Sequence, residues 1–252
     1  MRTVYVLALL ATVAVCSCST PGGEPAEFIG VAMIDVTDTM ERVTIDDVRN
    51  AAGWNDAHLA RTIRVRPIMD VDQVPTGEIH VPAWNNASDP STWNATTNEF
   101  YRNQALEHFW DSVRTAIDTV YAGPIKLDHT SLLVPLCDEL AYLQSHPDAD
   151  RFVIIGSDLG QFDNTRRGGL DFIRDSTTLA WMDADSLCIW QRVDGSEKLF
   201  DLEGVRVVVL FEAGDNAENA RYRVIAGYLR RRLEALGAEV QLTGKVSTKE
   251  VG

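Results

Sequence analysis

The chain has 252 residues, 45% of them hydrophobic, with 23 Lys and Arg against 37 Asp and Glu and a formal charge of -14. A chain of this length buries a substantial core without a disulfide or metal staple. The acidic balance opposes an electrostatic grip on nucleic-acid phosphates or anionic lipid headgroups, and the hydrophobic content excludes a disordered chain.

The segment MRTVYVLALLATVAVCSCST carries one early cation, Arg2, and then an apolar run from Val4 to Val15. At about 1.5 Å per helical residue that run covers roughly 18 Å, well short of the ~30 Å hydrocarbon core. It is therefore a signal-peptide core and not a spanning helix. With Cys16 and Cys18 following at once, the segment resembles a bacterial lipoprotein signal, which implies cleavage before a lipidated Cys. Cys18 fits that pattern, with Val15 three residues ahead of it and small Ser17 directly before it; Cys16 follows the bulkier Val15. An ordinary secretory signal is the alternative. Ser19 after the anchor, in place of Asp, is compatible by the same resemblance with outer-membrane sorting in the bacterial cell envelope. The expected division is a signal over 1–17, a lipidated Cys and tether over 18–26, a domain over 27–245 and a tail over 246–252. The tether reading rests on STPGGEPA, which is small, Pro/Gly-rich and non-periodic.

FIGVAMI, from Phe28 to Ile34, is continuously apolar, as a strand buried on both faces of a parallel sheet must be, and it ends at Asp35. Thr44 with Asp47 marks a helix start and Gly53 its stop. TIRVRPIM (62–69) and Glu78–Val81 read as a hairpin, with Pro67 pushing the first strand towards a sheet edge. Leu106, Phe109, Trp110, Val113, Ile117 and Val120 recur at three and four, predicting a long helix ended by Gly123 and Pro124. A second helix opens near Thr130 with Leu133, Leu136, Leu140 and Leu143 on one face, and Pro135 falls in its first turn. RFVIIGSD (151–158) and GVRVVVLF (204–211) are further buried strands. Asp215 and Glu218 start a last helix, Gly237 ends it, and AEVQL returns as a strand. The stretch from Thr165 to Leu202 is expected to hold one helix near Leu170 and irregular cover. Cys137 and Cys188 either pair or serve as small buried hydrophobes, and the place of Cys137 inside a helix favours the second. Alternating strands and helices predict an α/β fold: an open, mostly parallel, doubly wound sheet with helices on both faces. Ligands of such sheets sit at the carboxyl ends of the strands, where Asp35 and Asp158 both fall.

Asp35, Thr37 and Thr39 alternate along an extended turn and so face one way. Carboxylates and hydroxyls are hard donors, suited to Mg²⁺, Ca²⁺ or Mn²⁺ and not to zinc or copper. Asp-x-Thr-x-Thr after an apolar strand resembles the first motif of von Willebrand factor type A domains, Asp-x-Ser-x-Ser, which opens their metal-ion-dependent adhesion site. The family's second element, a Thr in a loop before a helix, is matched by Thr130 in LDHTSLLVPLCDEL. Its third, an Asp after the next core strand and usually followed by Gly, is matched by Asp158 in VIIGSDLG, with Gly160 one residue late. The resemblance spans about Phe28 to Leu242. It implies that Thr37, Thr39 and Thr130 touch the cation directly and that Asp35 and Asp158 act largely through bound water. It implies equally that a carboxylate from a protein or peptide partner completes the shell. Asp38, where the family has a small Gly, and His129, beside Thr130, are expected at the rim.

The resulting expectation is a lipid-anchored binding protein and not an enzyme. A Mg²⁺-dependent phosphatase resembling the haloacid dehalogenase superfamily is the alternative, with Asp35 as nucleophile and Asp158 on the metal. Against it, the position two residues on is Thr37, which protonates a leaving group poorly. A metal-free type A scaffold is the third reading. The five His show no metal-ligand spacing, and neither a Gly-x-Ser-x-Gly elbow nor a phosphate loop ending in Gly-Lys-Ser/Thr is present. Arg230, Arg231 and Arg232 are expected as a solvated basic turn of the last helix.

Overall fold

The computed structural model describes residues 27–36, 43–52, 59–68, 77–84, 98–123, 131–160, 171–172, 175–184, 199, 201–211 and 215–244. In chain order these hold β1 (Glu27–Asp35), α1 (Ile45–Ala52), β2 (Ala60–Ile68), β3 (Ile79–Val81), α2 (Glu99–Ala122) and α3 (Leu133–Gln144). Then come β4 (Asp150–Gly156), α4 (Ser176–Asp183), β5 (Val205–Phe211), α5 (Asn216–Glu234) and β6 (Glu239–Gly244). The strands form one sheet in the order β3-β2-β1-β4-β5-β6, parallel throughout except for the β2–β3 hairpin. It is the doubly wound α/β sheet that the alternation of elements predicts.

Two apolar layers cover the sheet. On one face Ile29, Val31 and Met33 of β1 pack with α3, α5, Val153 and Ile155; on the other Ala32 and Ile34 pack with α1, α2, Phe152 and Ile154. The two-residue alternation of a strand divides these sets, and burial on both faces accounts for the continuously apolar sequence. Helix ends follow local chemistry. Thr44 and Asp47 bond each other's backbone N–H at 2.8 and 3.2 Å, closing the first turn of α1. Asn98 caps α2, and Asp215 caps α5 by accepting the Glu218 N–H at 2.7 Å. Gly237, at φ 96°, ends α5 in the left-handed conformation that a glycine adopts without steric cost. Pro135 is the third residue of α3, where a missing N–H breaks no helical bond.

Three local expectations change. Pro67 lies in β2, between β1 and β3, and not on an edge strand; β3 reaches only Arg61–Ile63, so the missing donor interrupts no bond to it. Leu170 lies outside the described residues, and the helix of that stretch is α4, capped by Asp175. The basic turn is not simply solvated: Arg231 donates to the Met182 carbonyl at 2.9 Å and Arg232 lies 5.3 Å from the Tyr228 ring centre. Among the described residues no helix is long and apolar enough to cross a membrane. Cys137 is fully buried on α3; Cys188 lies outside the described residues.

Candidate functional site

Strand order reverses its direction of growth between β1 and β4. The chain leaves β1 for β2 on one side and leaves β4 for β5 on the other, which opens a crevice at their carboxyl ends. Asp35 is the last residue of β1, paired in register with Ile68. The alternation that sends Ile29, Val31 and Met33 towards α3 and α5 sends Asp35 to the same face, and Val153 and Ile155 set the same course for Ser157. The two side chains meet there: the Ser157 hydroxyl donates to Asp35 Oδ2 at 3.0 Å. Asp35 is 2% exposed and Ser157 is fully buried.

Ser157 is itself oriented. Its N–H donates to the Leu210 carbonyl at 3.2 Å, and its Oγ accepts the Leu159 N–H at 2.9 Å. The result is a short relay from Leu159 N–H through the serine hydroxyl to the Asp35 carboxylate, each bond polarising the next. Leu159 has φ 59°, the left-handed conformation that costs an L-residue about 1–2 kcal/mol. Its side chain is fully buried in the core beneath α3 and α5, and burying a Leu returns about 1.5–3 kcal/mol. Burial therefore outweighs strain, and the side chain serves the core although the backbone is left-handed.

Asp158 stands between these two residues. Its Oδ1 accepts the Gly160 N–H at 2.6 Å, and its Oδ2 lies 3.6 Å from a guanidinium nitrogen of Arg221 in the second turn of α5. Among the described residues Asp158 is the one partner of Arg221. Next along the helix, Tyr222 stacks at 4.3 Å on Phe211, the last residue of β5; burial pushes its phenol up to about 12, and its hydroxyl has no hydrogen-bond partner among the described residues.

The segment from Val36 to Val43 carries the first motif, and both of its ends are held. Val43 donates its N–H to the Tyr121 hydroxyl of α2 at 2.7 Å. Its side chain fills the space above Gly156, where a Cβ would overlap Val43 Cγ2. Gly156 and Ser157, consecutive at the end of β4, thus fix the far and near ends of the same segment. Thr37, Asp38 and Thr39 themselves, with His129 and Thr130, lie outside the described residues, as does Cys18. Of the five expected metal-site residues, the described structure brings Asp35 and Asp158 to one edge, on adjacent strands. The α3 end that follows Thr130 lies at this edge too, because α3 leads by a short turn into the opposite end of β4. Ser131 is buried there, its Oγ without a hydrogen-bond partner among the described residues, and the N-cap residue Leu132 supplies no side-chain cap.

Among the described residues no three His, Cys, Asp or Glu side chains come together in a metal-binding group. The expected donor set has two carboxylates and three hydroxyls, so it does not call for such a group. Sequence reasoning missed Ser157, Leu159, Arg221 and Tyr121. Only Ser157 had a signal, its even spacing from Val153 and Ile155. No family model matches the chain, and no curated protein matches it. Fold and site geometry carry the functional argument.

Proposed function

We propose that this chain is a lipid-anchored bacterial envelope protein that binds a protein or peptide partner through a divalent cation, without catalysis. Cys18 is the anchor; Asp35, Thr37, Thr39, Thr130 and Asp158 hold Mg²⁺, or Ca²⁺ or Mn²⁺; and a partner carboxylate fills the open position. The observation that carries the reading is the pairing of Asp35 with Ser157. It places a buried carboxylate at the crevice of the sheet and orients it with a neutral donor, one residue from Asp158. Hard oxygen donors there suit a hard cation. The topology also supports the anchor, because Glu27 starts β1 at the edge opposite Asp35. A tether ending at Glu27 presents the site away from the membrane. Nine strand residues at about 3.3 Å each separate the two edges by roughly 30 Å.

The Asp158–Arg221 pair favours a second reading, a metal-free type A scaffold, because a guanidinium already faces one ligand oxygen. Thermal unfolding of the full chain in EDTA, Mg²⁺, Ca²⁺ and Mn²⁺, with Asp35→Asn alongside, separates the two. The cation reading expects a rise in Tm that grows with cation concentration and is absent from Asp35→Asn. Equal Tm values in EDTA and in millimolar cation leave the scaffold.

A further inference from the structure

We propose that Arg221 selects the ligand at this edge: it holds Asp158 in the cation-free chain and pairs with the ligand's carboxylate once a cation takes Asp158. The inference rests on the cation reading above and adds to it a specificity-determining residue and its exchange of partners.

Three observations carry it. The first is the geometry of the pair. A charge-assisted N–H···O bond normally spans about 2.7–2.9 Å, whereas Arg221 stands 3.6 Å from Asp158 Oδ2. The attraction is ionic and unlocked, with no bidentate fork. The second is that the donors are unspent. A guanidinium offers five N–H groups, and among the described residues Arg221 commits none of them to a hydrogen bond within these geometric limits. An arginine that merely ties α5 to the β4 loop would close to hydrogen-bond distance, as Arg66 does at 2.8 Å from Glu139. The third is competition for one atom. Asp158 Oδ1 accepts the Gly160 N–H at 2.6 Å, while Oδ2 faces Arg221 and is the oxygen less engaged towards a cation or its bound water.

Fixed surroundings make the exchange local. Asp215 caps α5, Phe211 packs on Tyr222, and the Ser157–Leu159 bond fixes the loop below. With α5 and the loop both held, only the flexible arginine stem has to move, and that side chain is already 26% exposed. Displaced by the cation, the guanidinium keeps its place at the crevice and turns its fork outward. A planar fork matches a carboxylate through two parallel bonds, which an ammonium cannot do. A fixed positive charge here also counters the repulsion between an acidic ligand and a chain of charge -14.

The test uses the full chain, with Mg²⁺ and the dicarboxylate glutarate as probes, in the wild type, Arg221→Ala and Arg221→Lys. Mg²⁺ binding is measured by calorimetry, and glutarate binding at saturating Mg²⁺ by NMR titration. Removal of the competing charge in Arg221→Ala is expected to tighten Mg²⁺ several-fold. Loss of a charged hydrogen-bonding partner is expected to weaken glutarate by roughly tenfold. Arg221→Lys is expected to keep Mg²⁺ affinity near the wild-type value and to recover only part of the glutarate binding. Glutarate affinity unchanged in Arg221→Ala overturns the proposal, whatever happens to Mg²⁺; so does unchanged Mg²⁺ affinity. A wild-type chain that takes up no Mg²⁺ overturns the cation reading itself, and this inference with it.

Discussion

Glu139 and Asp35 are both carboxylates withdrawn from water, 1% and 2% exposed, and the molecule surrounds them differently. Glu139, on α3, meets the guanidinium groups of Arg66 at 2.8 Å and Arg64 at 3.4 Å, both from β2. Arg64 also lies 4.0 Å from the Tyr142 ring centre, and burial with nearby Glu78 pushes that phenol upward. This is a charged seam that fastens a helix to a strand. Asp35 instead receives the hydroxyl of Ser157, which is held in turn by a backbone N–H. Guanidinium groups balance the charge of Glu139, whereas the Ser157 hydroxyl aims one oxygen of Asp35. The contrast is between a carboxylate fastened by two guanidinium groups and one oriented by a hydroxyl at the carboxyl edge of the sheet.

The largest effect is expected at the seam. Glu139→Gln removes the carboxylate that Arg64 and buried Arg66 share, leaving Arg66 the longer 3.5 Å contact to Asp138, and should cost about 3 kcal/mol of stability in urea unfolding. Leu159 comes next. Leu159→Ala should cost about 2–5 kcal/mol through lost burial and the cavity left behind. Leu159→Gly should be the more stable of the two variants by about 1 kcal/mol, because glycine relieves the left-handed strain. At a right-handed position the order reverses, so the sign of that difference tests the backbone shape directly. Asp35→Asn, measured in EDTA, should fall within about 1 kcal/mol of the wild type, since an amide oxygen still accepts the Ser157 hydroxyl. A cost equal to that of Glu139→Gln would make Asp35 a structural group and erase the contrast.

The smallest effect is expected at Asp175, the exposed cap of α4. The Thr178 hydroxyl, at 2.5 Å, holds its carboxyl below the usual carboxylate range. A depressed folded pKa contributes stability above the unfolded value of about 4 and loses it as pH falls through the folded one. Protection of the α4 amides, measured relative to their intrinsic exchange rates, should therefore fall only below about pH 4, and Asp175→Asn should remove that pH dependence.

Strands and helix ends were legible because their causes are local. β1 and β4 are buried on both faces and so read as apolar runs, and Thr44–Asp47 and Asp215–Glu218 bond within a single turn. The placement of Asp35 and Asp158 at one sheet edge followed from their positions just after the carboxyl ends of strands in a parallel sheet. Ser157 escaped notice because its role depends on register between β1 and β4. The left-handed backbone of Leu159 was hidden because Leu disguises a conformation usually signalled by Gly. Arg221 was out of reach, since it acts 63 positions from Asp158 in sequence, through the packing of α5. The charged seam was equally opaque: Arg64 and Arg66 alternate like solvent-facing strand residues, and only the fold shows that α3 lies over them.

The cation claim meets its most direct test in a Mn²⁺ titration of the full chain, with free ion followed by electron paramagnetic resonance. The account predicts one bound Mn²⁺ per chain, abolished by Asp35→Asn and displaced by excess Mg²⁺. No uptake at millimolar Mn²⁺, or uptake that persists unchanged in Asp35→Asn, contradicts it.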